Sequence, residues 1–171
     1  MKKGVEKIKW SGKGAIYPDK CVANSILCIH SKSEVGFVID SWLKDTTEEE
    51  KKKNITWILQ DSKRKEIRRV LKTPKEEFII NIPNELCGPY SYYLEASLYG
   101  QIDYKHNVGL KINGYCTPKI ISSKWCSTND SSDQRSKEFK YGHLIYLGLE
   151  TEGLNGVNNL IVDVFKIVEG G

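Results

Sequence analysis

The sequence predicts an all-β protein, and two patterns lead to that prediction. Apolar and polar residues alternate with a period of two through most segments, which is typical of strands that bury one face. Turn-forming residues separate these segments at intervals of roughly ten residues, a spacing that favours an antiparallel β-sandwich. The 171 residues are enough for one large domain or for two small β domains.

The predicted strands of the first part of the chain follow one another closely. In SEVGFVIDSW, Val35, Phe37 and Ile39 share one face, and the charged stretch that follows it, LKDTTEEEKKKN, is predicted to be an exposed connection. The predicted strands are VEKIKW, KCVANSILCIH, SEVGFVIDSW, ITWILQD, EIRRVLK, EEFIINIP and GPYSYYLEASLYG.

Two details of residues 1–105 narrow the architecture. Trp57 lies in a mid-chain strand, where one group of sandwich domains buries a tryptophan. Tyr90 begins a late strand after Gly88-Pro89, the position of a tyrosine corner in the same domains. Together they favour an immunoglobulin-like β-sandwich for residues 1–105. No cysteine occupies either inter-sheet position, so the likeness is to the architecture and not to antibody domains.

Residues 106–171 are predicted to form a second, smaller β unit. Its strands are KIISSKWC and EFKYGHLIYLGLETEG, followed by a turn at Asn155-Gly156 and a terminal strand, LIVDVFKIV, that completes a hairpin. EKIKW near the start of the chain parallels ISSKW at residues 121–125, and each is followed by a polar loop and apolar strands. The prediction is therefore two tandem antiparallel immunoglobulin-like units, the second short or incomplete.

The usual motifs of catalytic and metal sites are missing from the sequence. GxSxG, HExxH, the P-loop and GxGxxG do not occur, and there is no CxxC pair. Cys21, Cys28 and His30 lie close together, but buried thiols in a strand are favoured over a metal site. We therefore expect no enzyme activity, no catalytic residues, no cofactor and no metal. A cysteine that meets His106 or His143 in space stays open, because such pairs have no fixed sequence spacing.

Candidate binding residues fall on the predicted terminal hairpin and among the aromatic residues. Glu150 and Glu152 flank the hairpin, whose open edge suits the addition of a partner strand. Tyrosines on the face opposite Tyr92 are expected to make exposed contacts with a protein or a sugar. The candidates are Glu150, Glu152, Asn155, Tyr93, Tyr99 and Trp125.

Charge and hydropathy limit the partners and the location. The net charge is +4, and its excess lies largely in Lys63–Lys75, which is predicted to be a solvated strand pair and turn. Without a stronger basic balance or a recognition motif we expect no nucleic-acid binding. No apolar run is long enough to insert into a membrane. We expect synthesis in the cytoplasm without a conventional signal peptide and with free thiols; export by another route and excision from a longer protein both stay open.

Several phrases of the sequence, taken in order, carry a resemblance to a known group of modules. They are IKW, TTEEEKKKNITWILQD, LCGPYSYYLEASLYG, GLKINGYCTPKIISSKW and YGHLIYLGLETEGLNG. From Val5 to Val168 the chain resembles the β-domain modules of large Bacteroidetes proteins that accompany PAAR-like spike domains and type VI secretion clusters. The resemblance implies a non-enzymatic adaptor that contacts a secretion spike, tube or toxin domain and is exported by a contractile system. It transfers no catalytic residue to this chain.

Two other functions remain open beside the adaptor. A cell-surface adhesin or carbohydrate-binding sandwich would use Tyr93, Tyr99 and Trp125. A small toxin would use a site built from a cysteine and a histidine. Because one sandwich architecture hosts many functions, the fold by itself does not choose among them.

Overall fold

The structure of the protein is a computed structural model that describes residues 2–17, 26–106, 108–128, 132–135, 137 and 139–165. Strands dominate the described residues, so the predicted all-β class is confirmed. The short helix α1 spans Glu48–Lys51, and no helix among the described residues is long and apolar enough to cross a membrane. The strands are β1 (Val5–Trp10), β2 (Ile26–His30), β3 (Val35–Trp42), β4 (Ile55–Gln60), β5 (Glu66–Lys72), β6 (Phe78–Ile80), β7 (Tyr92–Ser97), β8 (Leu110–Tyr115), β9 (Lys119–Cys126) and β10 (Tyr146–Glu152).

Two sheets enclose the hydrophobic core. One sheet contains β1, β3 and β6. The other sheet has five strands in the order β2-β8-β7-β4-β5. In this second sheet β2 is parallel to β8, and every other pair of neighbouring strands is antiparallel. The rings of Trp57 from β4 and Phe78 from β6 stack across the core with 5.4 Å between their centroids. Trp57 is 1% exposed, so the burial predicted for this tryptophan is confirmed.

The charged connection after β3 is more ordered than the sequence predicts. The Thr47 hydroxyl accepts a hydrogen bond from the Glu50 backbone N–H at 3.3 Å, and the Glu50 carboxylate accepts one from the Thr47 N–H at 2.9 Å. This reciprocal capping box satisfies donors at the start of α1 and stabilises its single turn. None of the α1 residues is buried, so this turn is exposed as predicted, whereas Thr46, just before it, is buried at 5% exposure.

The hairpin at the C-terminal side of the chain differs from the predicted one. Asn155 and Gly156 do form a turn, but residues 157–165 are not a strand. β10 instead pairs antiparallel with β9, with Glu152 opposite Lys119. The predicted terminal strand is therefore wrong over residues 160–165, and its remaining residues, 166–168, lie outside the described part of the chain.

The five-stranded sheet crosses the boundary predicted between residues 105 and 106. β8, which follows that boundary, lies between β2 and β7 in the sheet. The glycine-rich stretch predicted to join two units thus supplies a strand of the first one. In the described residues after β8, the strands are β9 and β10 of the hairpin.

The cysteines differ in their redox state. Cys28 is disulfide-bonded, so the expectation of a free thiol is wrong at this position. Cys87, Cys116 and Cys126 are free thiols, as expected. Cys21, which the sequence places near Cys28 and His30, lies outside the described residues.

Candidate functional site

The β9–β10 hairpin has one open edge. The two strands form a sheet of their own, and within the described residues neither pairs with a third strand. An isolated two-stranded hairpin is marginally stable in water, so contacts with the rest of the chain must support it. Along the outer edge of β9, the Trp125 N–H donates to the Asp133 carboxylate at 3.1 Å and the Trp125 carbonyl accepts from the Gln134 N–H at 2.7 Å. The outer edge of β10 is the one that can accept an additional strand.

Glu152 belongs to the base of the hairpin. Its carboxylate lies 3.1 Å from the Lys119 ammonium of the neighbouring strand. Hydrogen bonds from Lys119 and then Asn84 lower the pKa of Glu152 below its ordinary value. The Asn84 carbonyl also accepts a hydrogen bond from the Gly153 N–H at 3.1 Å. The predicted binding residue Glu152 therefore helps to fasten the hairpin to the sandwich.

Asn155 attaches the turn after β10 to the same part of the sandwich. Its backbone N–H donates to the Cys87 carbonyl at 2.9 Å, and its carbonyl accepts from the Tyr90 N–H at 3.0 Å. Its side-chain amide donates to the Leu86 carbonyl at 3.0 Å and to the Tyr92 hydroxyl at 3.4 Å. Through these bonds Asn155 fixes the turn to the sandwich.

Glu150 and Trp125 lie on the body of the hairpin, farther from its base. Glu150 is exposed, and its carboxylate accepts a hydrogen bond from the Ser122 hydroxyl at 2.9 Å. Trp125 is half-buried and sits opposite Leu147 in the β9–β10 register. These two candidates remain accessible to a partner.

The segment that follows the hairpin, residues 157–165, exposes a run of apolar side chains; we call it the apolar arm. Among the described residues the arm pairs with no strand. Contiguous exposed apolar residues mark interaction surfaces or aggregation-prone edges. The exposed apolar side chains of the arm are Leu160 (49%), Ile161 (83%), Val162 (48%), Val164 (71%) and Phe165 (83%).

The β9–β10 pair repeats a feature of the β1–β3 pair. In β1 the pairing skips Glu6, so this residue forms a bulge opposite β3. In β9 the pairing skips Ile121, which forms a bulge opposite β10. Each bulge lies four residues before a tryptophan, Trp10 or Trp125, in the segments whose sequences resemble each other. The β1–β3 pairing also has a second irregularity, between Lys7 and Ile8, that the β9–β10 pairing lacks, so the likeness between the two pairs is partial.

Tyr93 is not the exposed contact that the sequence predicts. It is 5% exposed, because both faces of β7 are buried over residues 92–96. The Arg64 guanidinium lies over its ring, 3.7 Å from the centroid. Its hydroxyl accepts a hydrogen bond from the Gly109 N–H at 2.9 Å. Tyr93 therefore belongs to the interior of the sandwich.

A buried polar network surrounds Tyr93, and the sequence analysis did not find it. Glu95, 1% exposed, accepts hydrogen bonds from Arg64 at 2.9 Å, from Gln60 at 3.3 Å and from the Asp103 backbone N–H at 2.8 Å. Arg64 also donates to the Gln60 side-chain oxygen at 2.7 Å. The feature of the sequence that could have indicated this network is Glu95, a single carboxylate in the middle of an otherwise apolar and aromatic strand. Its arginine partner lies in a turn 31 positions away, and a sequence pattern does not identify such a pair.

Tyr99 is exposed to solvent at 58%, as the sequence predicts. Its hydroxyl donates to the Glu50 carboxylate at 3.2 Å. It lines a cavity of about 320 Å³ together with Lys2, Lys3 and Asp103. The aromatic candidates thus occupy three environments: Tyr93 the interior, Tyr99 this cavity and Trp125 the hairpin.

Replacing Glu50 with glutamine is expected to reduce the loss of stability in acid. Hydrogen bonds from the Thr47 backbone and then from the Lys3 ammonium lower the pKa of Glu50 from 4.5 to about 2. A depressed pKa contributes stability that is complete above the unfolded value and is lost as the pH falls through the folded value. The urea midpoint of the wild-type protein should therefore fall between pH 4.5 and about 2 more steeply than that of E50Q.

The neighbouring carboxylate Glu49 provides the control for this measurement. It lies on the same helix and pairs with Lys52 at 3.2 Å, with 84% of its side chain exposed. E49Q should keep the wild-type slope. Equal slopes for E50Q and the wild-type protein would contradict the role given to Glu50.

Among the described residues, the contacts of the three histidine rings are with groups other than a thiol. The His30 ring stacks on Tyr17 with 5.2 Å between the ring centroids. The His106 ring lies 3.1 Å from the Asp103 carboxylate, and the His143 ring accepts from the Lys140 backbone N–H at 3.3 Å. Within the described part of the chain, no group of three or more histidine, cysteine or acidic side chains is arranged to hold a metal ion.

The accessible site is therefore the hairpin with its open β10 edge, its exposed Glu150 and the apolar arm that follows it. Glu152 and Asn155 fix its base to the sandwich. These features are suited to binding an extended chain. Comparison with known proteins gives no matching family model, no matching curated protein and no matching solved structure.

Proposed function

We propose that the chain is a non-enzymatic β-sandwich adaptor that binds a protein partner by strand addition. The observation that carries the proposal is the apolar arm, which exposes five large apolar side chains without a paired neighbour among the described residues. The anchored hairpin beside it presents backbone groups along the outer edge of β10. Strand addition uses these backbone groups for affinity and alternate side chains for specificity.

The likeness between the two predicted units, residues 1–105 and 106–171, supports this mode of binding. In the first half, the strand that follows β3 is β4, which has β5 on one side and β7 on the other. In the second half, the apolar sequence that follows β10 is the arm. The arm therefore has the sequence of a central strand, and a partner strand would take the place that β5 or β7 has beside β4.

The architecture proposed for the first half is immunoglobulin-like. Two arrangements support it: the β1-β3-β6 sheet faces the larger sheet, and the tryptophan of the mid-chain strand is buried between them. The second half is a shorter unit of the same kind, as its matching bulge suggests. Tandem units of this type act as rigid spacers that hold a binding edge at a fixed place.

The partner that we propose is a component of the assembly that the resemblance implies. A spike, tube or toxin component of a bacterial type VI-like secretion system would supply an extended strand with apolar residues on at least one face. The arm contains one charged residue, Asp163, and the hairpin contributes Glu150, so the partner strand is expected to carry basic or neutral residues near these positions.

The test uses the tagged full chain and candidate components of the secretion cluster, expressed together and recovered by the tag. Val162→Pro removes a backbone N–H from the arm and prevents strand pairing there, whereas Val162→Thr keeps a β-branched residue at the same place. We expect V162P to lower recovery of the component at least about tenfold, a difference of about 1.4 kcal/mol, and V162T to retain most of it. Glu150→Lys should also weaken binding.

The arm is exposed, so neither V162P nor V162T should change the thermal unfolding of the sandwich. Hydrogen exchange gives a second readout, because amides of the arm should become protected when the component binds. Undiminished recovery with V162P would overturn strand addition through the arm. Failure of every spike, tube and toxin component to bind the wild-type chain would overturn the secretion adaptor itself.

A further inference from the structure

Two free cysteines meet where the hairpin base joins the sandwich. Cys87 follows the 3₁₀ turn Asn84–Leu86, and Cys116 follows β8. The Asn84 carbonyl accepts from the Cys87 N–H at 3.2 Å and from the Cys116 thiol at 3.7 Å. The backbones are also joined beside the thiols, since the Gly88 N–H donates to the Gly114 carbonyl at 2.9 Å. Both cysteines therefore sit on one small, well-connected piece of backbone.

Gly114 leaves the space that the Cys87 side chain occupies. A Cβ atom at this glycine would lie 2.8 Å from the Cys87 sulfur, closer than side-chain atoms normally approach. The Cys87 thiol therefore packs against the end of β8 and lies within hydrogen-bond reach of Cys116. It also contacts the Pro83 carbonyl at 3.4 Å.

The two thiols differ in their access to solvent. Cys87 is 0% exposed and belongs to the hydrophobic core. Cys116 is half-buried and lines two surface cavities, one of about 280 Å³ beside Glu152 and one of about 450 Å³ beside Leu154. A small molecule can reach Cys116 through either cavity, whereas Cys87 is fully buried and lines neither of them.

The protonation of Cys87 also indicates that Cys116 is the first of the two thiols to react. Burial, followed by the neighbouring Cys116 thiol, to which it is hydrogen-bonded, raises the pKa of Cys87 to about 12. The buried thiol therefore stays protonated at neutral pH and is a poor first nucleophile. The accessible thiol is the one that reacts first.

We propose that Cys87 and Cys116 are a redox pair that a small disulfide, such as oxidised glutathione, converts to an internal disulfide. The Cys116 thiolate attacks one sulfur of the oxidant, the S–S bond breaks, and one glutathione thiolate leaves with the bonding electron pair. The Cys87 sulfur, as it loses its proton, attacks the Cys116 sulfur and releases the second glutathione. Two protein thiols are oxidised, one disulfide is reduced to two thiols, and the two leaving thiolates take up the two protons.

The new bond would tie the loop before β7 to the end of β8. Asn84, which contacts both cysteines, also accepts the hydrogen bond from Gly153 at the base of the hairpin. Oxidation would therefore fix the junction on which the hairpin and the apolar arm rest. This redox site is independent of the proposed partner and does not require that the chain be a secretion adaptor.

The test is incubation of the reduced full chain with oxidised glutathione, followed by mass spectrometry of peptides prepared without reductant. We expect a peptide that contains Cys87 linked to one that contains Cys116. Cys116→Ser should abolish the link and leave Cys87 as a thiol. Cys126→Ala, which removes the third free thiol, should form the link as the wild-type protein does.

Thermal unfolding provides the second readout. Oxidation should raise the melting temperature of the wild-type protein by about 5–10 °C more than that of C116S, since C116S retains the disulfide of Cys28 and lacks only the new one. Recovery of Cys116 as a stable glutathione adduct beside a Cys87 thiol would overturn the proposal. A link from Cys116 to Cys28 or Cys126, or the absence of any reaction, would overturn it as well.

Discussion

Replacing Trp57 with alanine is expected to lower the free energy of unfolding by about 4 kcal/mol. The side chain is 1% exposed and lies on β4, with β5 on one side and β7 on the other. Its ring is nearly parallel to that of Phe78, with an interplanar angle of 7°. The substitution removes the largest fully buried side chain and leaves a cavity between the sheets that close packing prevents from collapsing completely.

Trp57→Phe is the matched control, because it keeps an aromatic ring at the same place. The indole N–H of Trp57 has no hydrogen-bond partner among the described residues, so its removal breaks no bond. We expect W57F to lose about 1–2 kcal/mol, well under the loss in W57A. Urea unfolding should show lower midpoints at an unchanged slope for both variants. A loss below about 1 kcal/mol in W57A would contradict the assignment of Trp57 to the centre of the core.

The strands that could be predicted are those with a local signal. β1, β3 and β4 each contain alternating or β-branched residues bounded by turn-forming residues, and the structure places strands in all three segments. The tryptophan in β4 was correctly expected to be buried. Such features depend on neighbours a few residues away, so a sequence pattern carries them.

The arm shows where a local signal is not sufficient. Its sequence, NLIVDVF, has high β-propensity, yet residues 160–165 form no strand. A strand must pair its backbone N–H and C=O groups with a neighbour, and the described residues provide none for the arm. The prediction failed because propensity describes one chain segment, while pairing requires two.

The sequence predicted the position of the candidate site better than it predicted the roles of the individual residues. The sequence pointed to residues 150–155, and this region does contain the hairpin end. Burial and bonding then separate the residues: Glu150 is free to meet a partner, whereas Glu152 and Asn155 hold the hairpin to the sandwich. Those roles depend on Asn84 and Leu86, which are some 70 positions away in the chain, so no local pattern could reveal them.

Replacing Arg64 with alanine is expected to cost about 3 kcal/mol of folding free energy, because it leaves the Glu95 carboxylate buried without its cation. The Arg64 and Glu95 side chains are 21% and 1% exposed, and their charged groups lie 2.9 Å apart. The Gln60 amide and the Asp103 N–H still donate to the carboxylate in the variant, so the loss stays below that of a wholly unpartnered charge. The variant also removes the guanidinium from the face of Tyr93, which adds to the loss.

Arg69→Ala separates the effect of burial from the effect of removing an ion pair. Arg69 and Glu66 are even closer, at 2.6 Å, but their side chains are 42% and 38% exposed. Water screens such a pair, and its removal is expected to cost less than about 1 kcal/mol. Urea unfolding of both variants at neutral pH decides the question. Similar losses in R64A and R69A would mean that the interior of the sandwich is more hydrated around Glu95 than its exposure indicates, whereas a difference of about 2 kcal/mol identifies the Arg64–Glu95 pair as part of the folded core.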